Sequence, residues 1–386
     1  MNSTFTWCDW RFPLMFGVLL ALAAAPSFAS RYEPLDGRVL VFAGQNLAAT
    51  RAYYRLDGVP RPVGFSDYVA FQEPGTPYPG YAPDFPAQYQ GVDGLLKATN
   101  WGAGEQCVDC LLKEPGFEQA AITIGMYLGG PWEPSGEPCT GAENCIIARV
   151  SRGEFDGQLE KFASWLNGIG DRPVFLRVGY EFDGAWSGYE PNDYRAAFKY
   201  IRRFLDARGV DNVAYVWQTF GYASYETLEA YFPEPDSDYD SYIDWVGYSY
   251  FTDDPAAPGI NELKFAREKG LKAFISEVTP HSGVCTRQLD VVRSPDGVKE
   301  WIDKFFIHLE QNKDVVRAFS YINERWNDSE YAPMWSAEQT HNCGGFFANS
   351  NAHLNDNPEI GRYWGEKVSG SSFLNLEEDL YSKLME

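Results

Sequence analysis

Along the 386 residues, short apolar runs alternate with amphipathic stretches, and no Ser/Gly linker, low-complexity tract or shift of composition divides one part from another. Eight runs have the length and the β-branched or aromatic content of strands: residues 38–44 (RVLVFAG), 64–71 (GFSDYVAF), 120–128 (AAITIGMYL), 173–179 (PVFLRVG), 213–220 (VAYVWQTF), 245–251 (WVGYSYF), 272–277 (KAFISE) and 316–323 (VRAFSYIN). Helical periodicity lies between several of them, over 155–166, 192–208, 261–269 and 297–311. Asn192-Asp193 opens the second of these in N-cap style, and Gly209 closes it. Strands that alternate with helices predict right-handed parallel crossovers, and eight of them predict an α/β protein closed into a (β/α)8 TIM barrel. A doubly wound open sheet is the other architecture of this class. It usually carries a glycine-rich nucleotide turn after its first strand, whereas here that strand runs into Gly44-Gln45-Asn46.

The start of the chain differs in kind. An apolar stretch over about residues 12–25 follows Arg11 and closes on Ser27-Phe28-Ala29, which predicts a signal peptide over 1–29 and a single elaborated catalytic domain over 30–386. The run is shorter than the roughly 20 residues a bilayer anchor needs, so the expectation is a secreted protein, extracellular or periplasmic, with no membrane association once the signal is removed.

The formal net charge of −22 and a pI near 4.6 argue against nucleic acid and other polyanionic partners, which the surface would repel. Of seven cysteines, Cys8 leaves with the signal, and the other six can form three disulfides in an oxidising compartment. The pairing that rearranges the elements least is Cys107 with Cys110, Cys139 with Cys145, and Cys285 with Cys343. Cys107-Val-Asp-Cys110 also has the spacing of a zinc or thiol-redox motif, but no second CxxC, paired His or redox-type βαβ context accompanies it. With only four His and no HExxH, P-loop or GxSxG, no metal or other cofactor is expected. Asn327-Asp328-Ser329 forms a glycosylation sequon.

Barrel enzymes carry their chemistry at the C-terminal ends of the strands, where two runs here bring carboxylates. The fourth ends RVGYEFDGAW, with Glu181 and Asp183, and the seventh ends AFISEVTP, with Glu277. Strand alternation puts Glu181 on the face of Arg177 and Gly179, and Glu277 on the face of Ala273 and Ile275. With those faces turned inward, the two carboxylates look at each other across the barrel mouth. Retaining glycosidases need such a pair about 5–5.5 Å apart, one protonated to assist departure and one ionised to attack. Asp183 has two readings, binding sugar or positioning Glu181 on one side and capping the next loop on the other. Arg177 either offsets carboxylate charge in the site or forms an ordinary buried ion pair.

Aromatic rings collect at the same strand ends: Tyr180 and Trp186 beside Glu181, Trp217 on the fifth run, Tyr248 and Tyr250 on the sixth, and Trp326 after the eighth. Sugar faces stack on such rings, and a phenol beside a nucleophilic carboxylate can orient it. Tyr250, nearer the strand end, is the expected partner of Glu277. Gln45, at the tip of the first strand, joins Tyr180, Asp183, Trp186, Trp217, Tyr250 and Trp326 as a candidate for substrate binding.

In order along the chain, VLVFAGQN, DRPVFLRVGYEFDGAW, VWQTFGY, DWVGYSYF, FISEVTP and FSYINERW resemble the glycoside hydrolase family 26 enzymes, and most of all the endo-β-1,3-xylanase branch. The resemblance spans about residues 39–326. It implies a retaining double displacement with Glu181 as acid/base and Glu277 as nucleophile, and substrate binding by Tyr250 and Trp326. Mannanase members carry His directly before the acid/base, where this chain has Tyr180; the xylanase-like branch tends to Ala-Tyr-Glu-Val-Asp-Gly, where this chain has Gly179-Tyr180-Glu181-Phe182-Asp183-Gly184. The expected activity is therefore endo-hydrolysis of a neutral β-linked polysaccharide by a monomer, β-1,3-xylan first. The alternatives are a β-mannanase or β-glucanase on the same site, or a non-catalytic carbohydrate-binding barrel.

Overall fold

The computed structural model describes residues 30–71, 92–100, 104–130, 139, 143–252, 258–280, 288–328 and 347–384. Eight parallel strands succeed one another around a closed barrel: β1 (Val39–Gly44), β2 (Gly64–Ala70), β3 (Ala121–Tyr127), β4 (Val174–Val178), β5 (Val213–Thr219), β6 (Trp245–Tyr250), β7 (Lys272–Val278) and β8 (Val316–Ile322). β8 closes on β1, with Leu40 opposite Ala318 and Gly44 opposite Ile322. The eight strands coincide with the eight apolar runs. The helices α1 (Leu47–Tyr53), α2 (Val108–Leu112), α3 (Ile146–Val150), α4 (Asp156–Gly168), α5 (Pro191–Asp206), α6 (Tyr225–Tyr231), α7 (Ile260–Lys269), α8 (Pro295–Gln311) and α9 (Pro358–Val368) lie along the chain between and after them.

Two apolar layers result from the period-two pleat. Inside the barrel, Leu40, Phe42, Phe175, Val216, Trp245, Phe274 and Ala318 fill the lower half, with Phe175 5.3 Å from Phe42, 5.6 Å from Trp245 and 5.7 Å from Phe274. Tyr32, Leu380 and Leu384, from the two ends of the described chain, pack onto the same cluster and plug the barrel floor. Outside, the alternate residues of each strand, such as Val246, Tyr248 and Tyr250 on β6 and Ala273, Ile275 and Val278 on β7, meet the helices.

Regular alternation breaks once where it matters. Tyr248 of β6 is opposite Ile275 but Ser249 is opposite Glu277, and on the other side Phe319 is opposite Ile275 but Tyr321 is opposite Val278. One extra residue is thus accommodated in β7 beside Ser276, a bulge that re-aims the end of the strand. Ala273 and Ile275 face the helices, so strict alternation would send Glu277 there as well. The bulge turns its carboxylate into the barrel, where it meets Arg177.

α5 begins at Pro191, with Glu190 in the N-cap position rather than Asn192-Asp193, because the fixed φ of proline suits the first helical residue. Its end is as expected: Gly209, at φ +68°, comes after the last turn. α1, α2, α3, α6 and α9 are additions to the four helices that the sequence pattern predicts. Cys107–Cys110 and Cys139–Cys145 are disulfides, with Cα atoms 5.2 and 5.7 Å apart, which leaves no thiols for zinc or exchange chemistry at the CxxC. Cys285, Cys343 and the segment 1–29 lie outside the described residues. The Asn327 side-chain nitrogen, the acceptor atom of the sequon, donates to Asp290 (3.0 Å). No described helix is long and apolar enough to cross a membrane.

Phe175 meets four aromatic rings, those of Tyr32, Phe42, Trp245 and Phe274, and is fully buried. Phe175→Ala should lower unfolding free energy by about 3–5 kcal/mol, measured by urea titration, whereas Ile307→Ser on the exposed face of α8 should change it by less than about 0.5 kcal/mol.

Candidate active site

At the C-terminal mouth of the barrel the interior changes from apolar to polar within one residue pair per strand. On β4, Phe175 belongs to the apolar floor, and the next inward residue, Arg177, is a fully buried cation. Its Nη1 donates to Glu277 Oε1 (2.7 Å) and to Gln218 Oε1 of β5 (3.2 Å), and its Nη2 donates to Ser66 Oγ of β2 (3.3 Å). The guanidinium also lies 4.9 Å from the ring centre of Tyr68 and 5.3 Å from that of Tyr180, within cation–π range. Burial works against this charge, but the facing Tyr68 and Glu277 more than offset it and raise the Arg177 pKa.

Glu277 receives a second hydrogen bond on the same oxygen from the Tyr68 hydroxyl (2.9 Å). Burial and the negative charge of Glu277 hold the Tyr68 phenol well above its usual pKa, so it remains a donor. Room for this pair comes from β3. A Cβ on Gly125 would lie 2.5 Å from the Tyr68 ring and 2.9 Å from Arg177 Nη2.

Glu181 lies three residues beyond the last residue of β4, and its position is set by backbone conformation rather than by pleat. Gly179 (φ +52°) and Glu181 (φ +50°) are both left-handed, a conformation that costs a non-glycine residue roughly 1–2 kcal/mol and that clusters at functional sites. The turn is braced where Phe182 N donates to the Gln218 carbonyl (3.2 Å) and Ser187 Oγ to the Glu181 carbonyl (3.1 Å). The carboxylate, 7% exposed, accepts from Ser249 Oγ of β6 at Oε1 (2.7 Å). Burial, and then the charge of Glu277, raise its pKa well above the carboxylate range, with the Ser249 bond working against them. Two carboxyl groups in one dry site with opposed surroundings, one braced by a cation and a phenol and one desolvated, form the pattern of an acid and a nucleophile.

The other expected site residues divide into those at the mouth and those away from it. Tyr180 is half-buried over Arg177, with its ring 5.2 Å from Tyr68. Trp186, 44% exposed, stands edge-on to Phe220 (4.9 Å) and offers an open aromatic face. Asp183 accepts from Phe220 N (2.7 Å), just past the end of β5 rather than in the loop that follows Asp183. Gln45 is buried at the tip of β1, where its carbonyl accepts from the Gln106 side chain (2.8 Å). Trp326 is buried beside the end of β7, its indole N–H donating to Thr279 Oγ1 (2.9 Å).

Two of the residues do not reach the cleft. Trp217 and Tyr250 occupy outward positions of β5 and β6. Trp217 packs on Phe182 (4.8 Å) and Phe265 (5.2 Å), and Tyr250 on Phe305 (5.2 Å) and Trp301 (5.9 Å) of α8. The phenol that meets Glu277 is that of Tyr68, not Tyr250.

Sequence reasoning misses Tyr68, Gln218, Ser249 and Ser66, all inward-facing polar residues near the ends of strands that the apolar runs locate correctly. Their signal is alternation counted from the apolar floor. Glu324, just past β8, is missed as well; it is buried and accepts a hydrogen bond from the Asn46 side chain. Among the described residues no cluster of three or more His, Cys, Asp or Glu could hold a metal ion.

Comparison with known proteins bears on this arrangement. The family model for glycosyl hydrolase family 26 matches residues 148–284, the stretch from α3 through β7. Beta-1,3-xylanase TXYA of a Vibrio species is 25% identical over 391 aligned positions that cover 95% of this chain and 74% of the relative. A beta-1,3-xylanase of an Alcaligenes species is 26% identical, covering 95% and 72%. The solved structure of a family 26 beta-mannanase from Bacteroides ovatus superposes with a TM-score of 0.54 at 14% identity over 89% of this chain and 93% of that one, a likeness of fold. Residues 148–284 thus match glycosyl hydrolase family 26, on a (β/α)8 barrel like that of the family's solved mannanase, and the chain is a glycoside hydrolase.

Proposed function

We propose that residues 30–386 form an exported, retaining endo-hydrolase of β-1,3-xylan, with 1–29 as a cleaved signal, Glu277 as nucleophile and Glu181 as acid/base. The observation that carries the mechanism is the pair of buried carboxyl groups with opposite environments at one barrel mouth. Arg177 and Tyr68 both donate to one oxygen of Glu277, which leaves the other oxygen to attack the anomeric carbon. Glu181, its pKa raised by burial and by Glu277, gives its proton to the departing sugar oxygen as the glycosyl–Glu277 bond forms. Loss of the Glu277 charge in that intermediate removes one reason for Glu181 to hold a proton. Now a carboxylate, Glu181 takes a proton from water, whose oxygen attacks the anomeric carbon and frees Glu277.

For the substrate, similarity to two proteins named beta-1,3-xylanases along 95% of the chain favours β-1,3-xylan. Tyr180, which stands where mannanases carry His, agrees with that choice. The acidic surface suits a neutral polymer, and the ring of Trp186 offers a stacking face at the cleft edge.

Glu277→Ala should reduce hydrolysis of soluble β-1,3-xylan by about 10⁴-fold or more while affinity electrophoresis in xylan still retards the protein; retention of near-full activity would refute the nucleophile. With wild-type enzyme, proton NMR of the first products should show β anomers, and α anomers would exclude double displacement. Because the Glu181 pKa is raised, kcat/KM should fall as pH rises through it. Glu181→Gln should remove that basic limb on an aryl β-xyloside with a good leaving group, and azide should then rescue turnover to a β-glycosyl azide. A panel of β-1,3-xylan, β-1,4-mannan, β-1,3-glucan and mixed-linkage glucan should give short oligosaccharides from the first alone, and cleavage of mannan in its place would reassign the substrate.

A further inference from the structure

The described residues connect Glu277 to Glu181 by a continuous run of hydrogen bonds through buried side chains: Glu277, Arg177, Gln218, Ser249, Glu181. The direction of each bond is dictated by chemistry. A guanidinium has donors and no acceptor, so the Gln218 atom facing Arg177 Nη1 (3.2 Å) is its oxygen. The Gln218 amide nitrogen must then face Ser249 Oγ (3.2 Å) and donate to it. A hydroxyl carries one proton, and with a lone pair of Ser249 taken by Gln218 that proton points at Glu181 Oε1 (2.7 Å). The strands make space for the run: a Cβ on Gly247, two residues before Ser249, would lie 2.8 Å from Gln218 Cβ and 2.9 Å from Ser276 Oγ.

The geometry points to Ser249 as the positioning residue that aims and tunes the acid/base, with Gln218 and Arg177 fixing the direction of its proton; this rests on Glu181 being that acid/base. The hydroxyl donates to Oε1, so the proton that Glu181 carries resides on Oε2, a single defined atom for delivery to the leaving oxygen. The same bond strengthens when Glu181 is ionised, which supports the carboxylate when it must act as base. The charged groups that bear on Glu181 are Glu277 from β7, Asp183 from its own loop and Arg177 from β4. The first two favour protonation and Arg177 opposes it. Ser249 is the neutral hydrogen-bond donor on the side of Arg177.

The test is a ¹³C NMR titration of the Glu181 carboxyl in the full chain, with the resonance assigned by its loss in Glu181→Gln. Ser249→Ala should move the Glu181 pKa up by about one unit, and Ser249→Thr, which keeps the hydroxyl, should restore it. Gln218→Met, which frees the hydroxyl to turn away, should shift the pKa in the same direction by less and serves where the alanine variant does not fold. On soluble β-1,3-xylan the basic limb of kcat/KM should move with the NMR value. A Glu181 pKa that is unmoved or lowered in Ser249→Ala or Gln218→Met overturns the tuning role, since a merely structural serine would cost activity without displacing that titration. Failure of the underlying reading is recognised separately, by Glu181→Gln hydrolysing xylan as wild type does.

Discussion

Arg177 carries a full positive charge in a place without solvent, and a buried cation costs several kcal/mol unless negative charge and lone pairs are brought to it. β2, β5 and β7 each contribute to meeting that requirement: Ser66 and the Tyr68 ring from the first, Gln218 from the second and Glu277 from the third. Because the guanidinium is planar with fixed donor directions, it also settles where those partners must stand. The Glu277 carboxylate is therefore held by the same contacts that make the interior tolerable. The polar upper half of the barrel and the apolar lower half are two solutions to the filling of one cylinder, and Arg177 sits one inward position above Phe175, where the apolar half gives way to the polar one.

Much of this is legible in the sequence. The eight strands appear as apolar runs because both faces of a parallel barrel strand are covered, one by the interior and one by helices, so each run is nearly continuous and easily seen. The same property hides which residues face inward. A run apolar on both faces gives no amphipathic cue, and aromatic residues near its end can fall on either side. Trp217 and Tyr250 fall on the helix side, while Gln218 and Ser249, polar residues in otherwise apolar runs, mark the inner face. A polar side chain within such a run is better evidence of a site than a large ring beside it, since an unsatisfied buried polar group is costly and needs a partner.

Alternation, extrapolated through Glu181 and Glu277, finds the two carboxylates for reasons that hold only in part, since neither obeys it. Glu181 lies in a left-handed turn outside the strand, and Glu277 comes after a bulge. No simple residue pattern announces a bulge, because an extra residue in a paired strand is a property of its neighbours' register. Similarly, Pro191 rather than Asn192 fixes the start of α5, a case where steric restriction overrides side-chain capping.

The floor of the barrel has a bearing on how the cleft can be presented. Leu35 N bonds to the Lys383 carbonyl (2.9 Å), Pro34 bridges to Leu384, and the Trp245 indole at the base of β6 donates to the Arg31 carbonyl (2.7 Å). Both ends of the described chain are thereby fastened together beneath the barrel, on the side away from the carboxylates. A tether joined at either end, whether a bead, a cell-surface anchor or a module that grips an insoluble wall, would leave from the blind side. The mouth would then face away from the point of attachment.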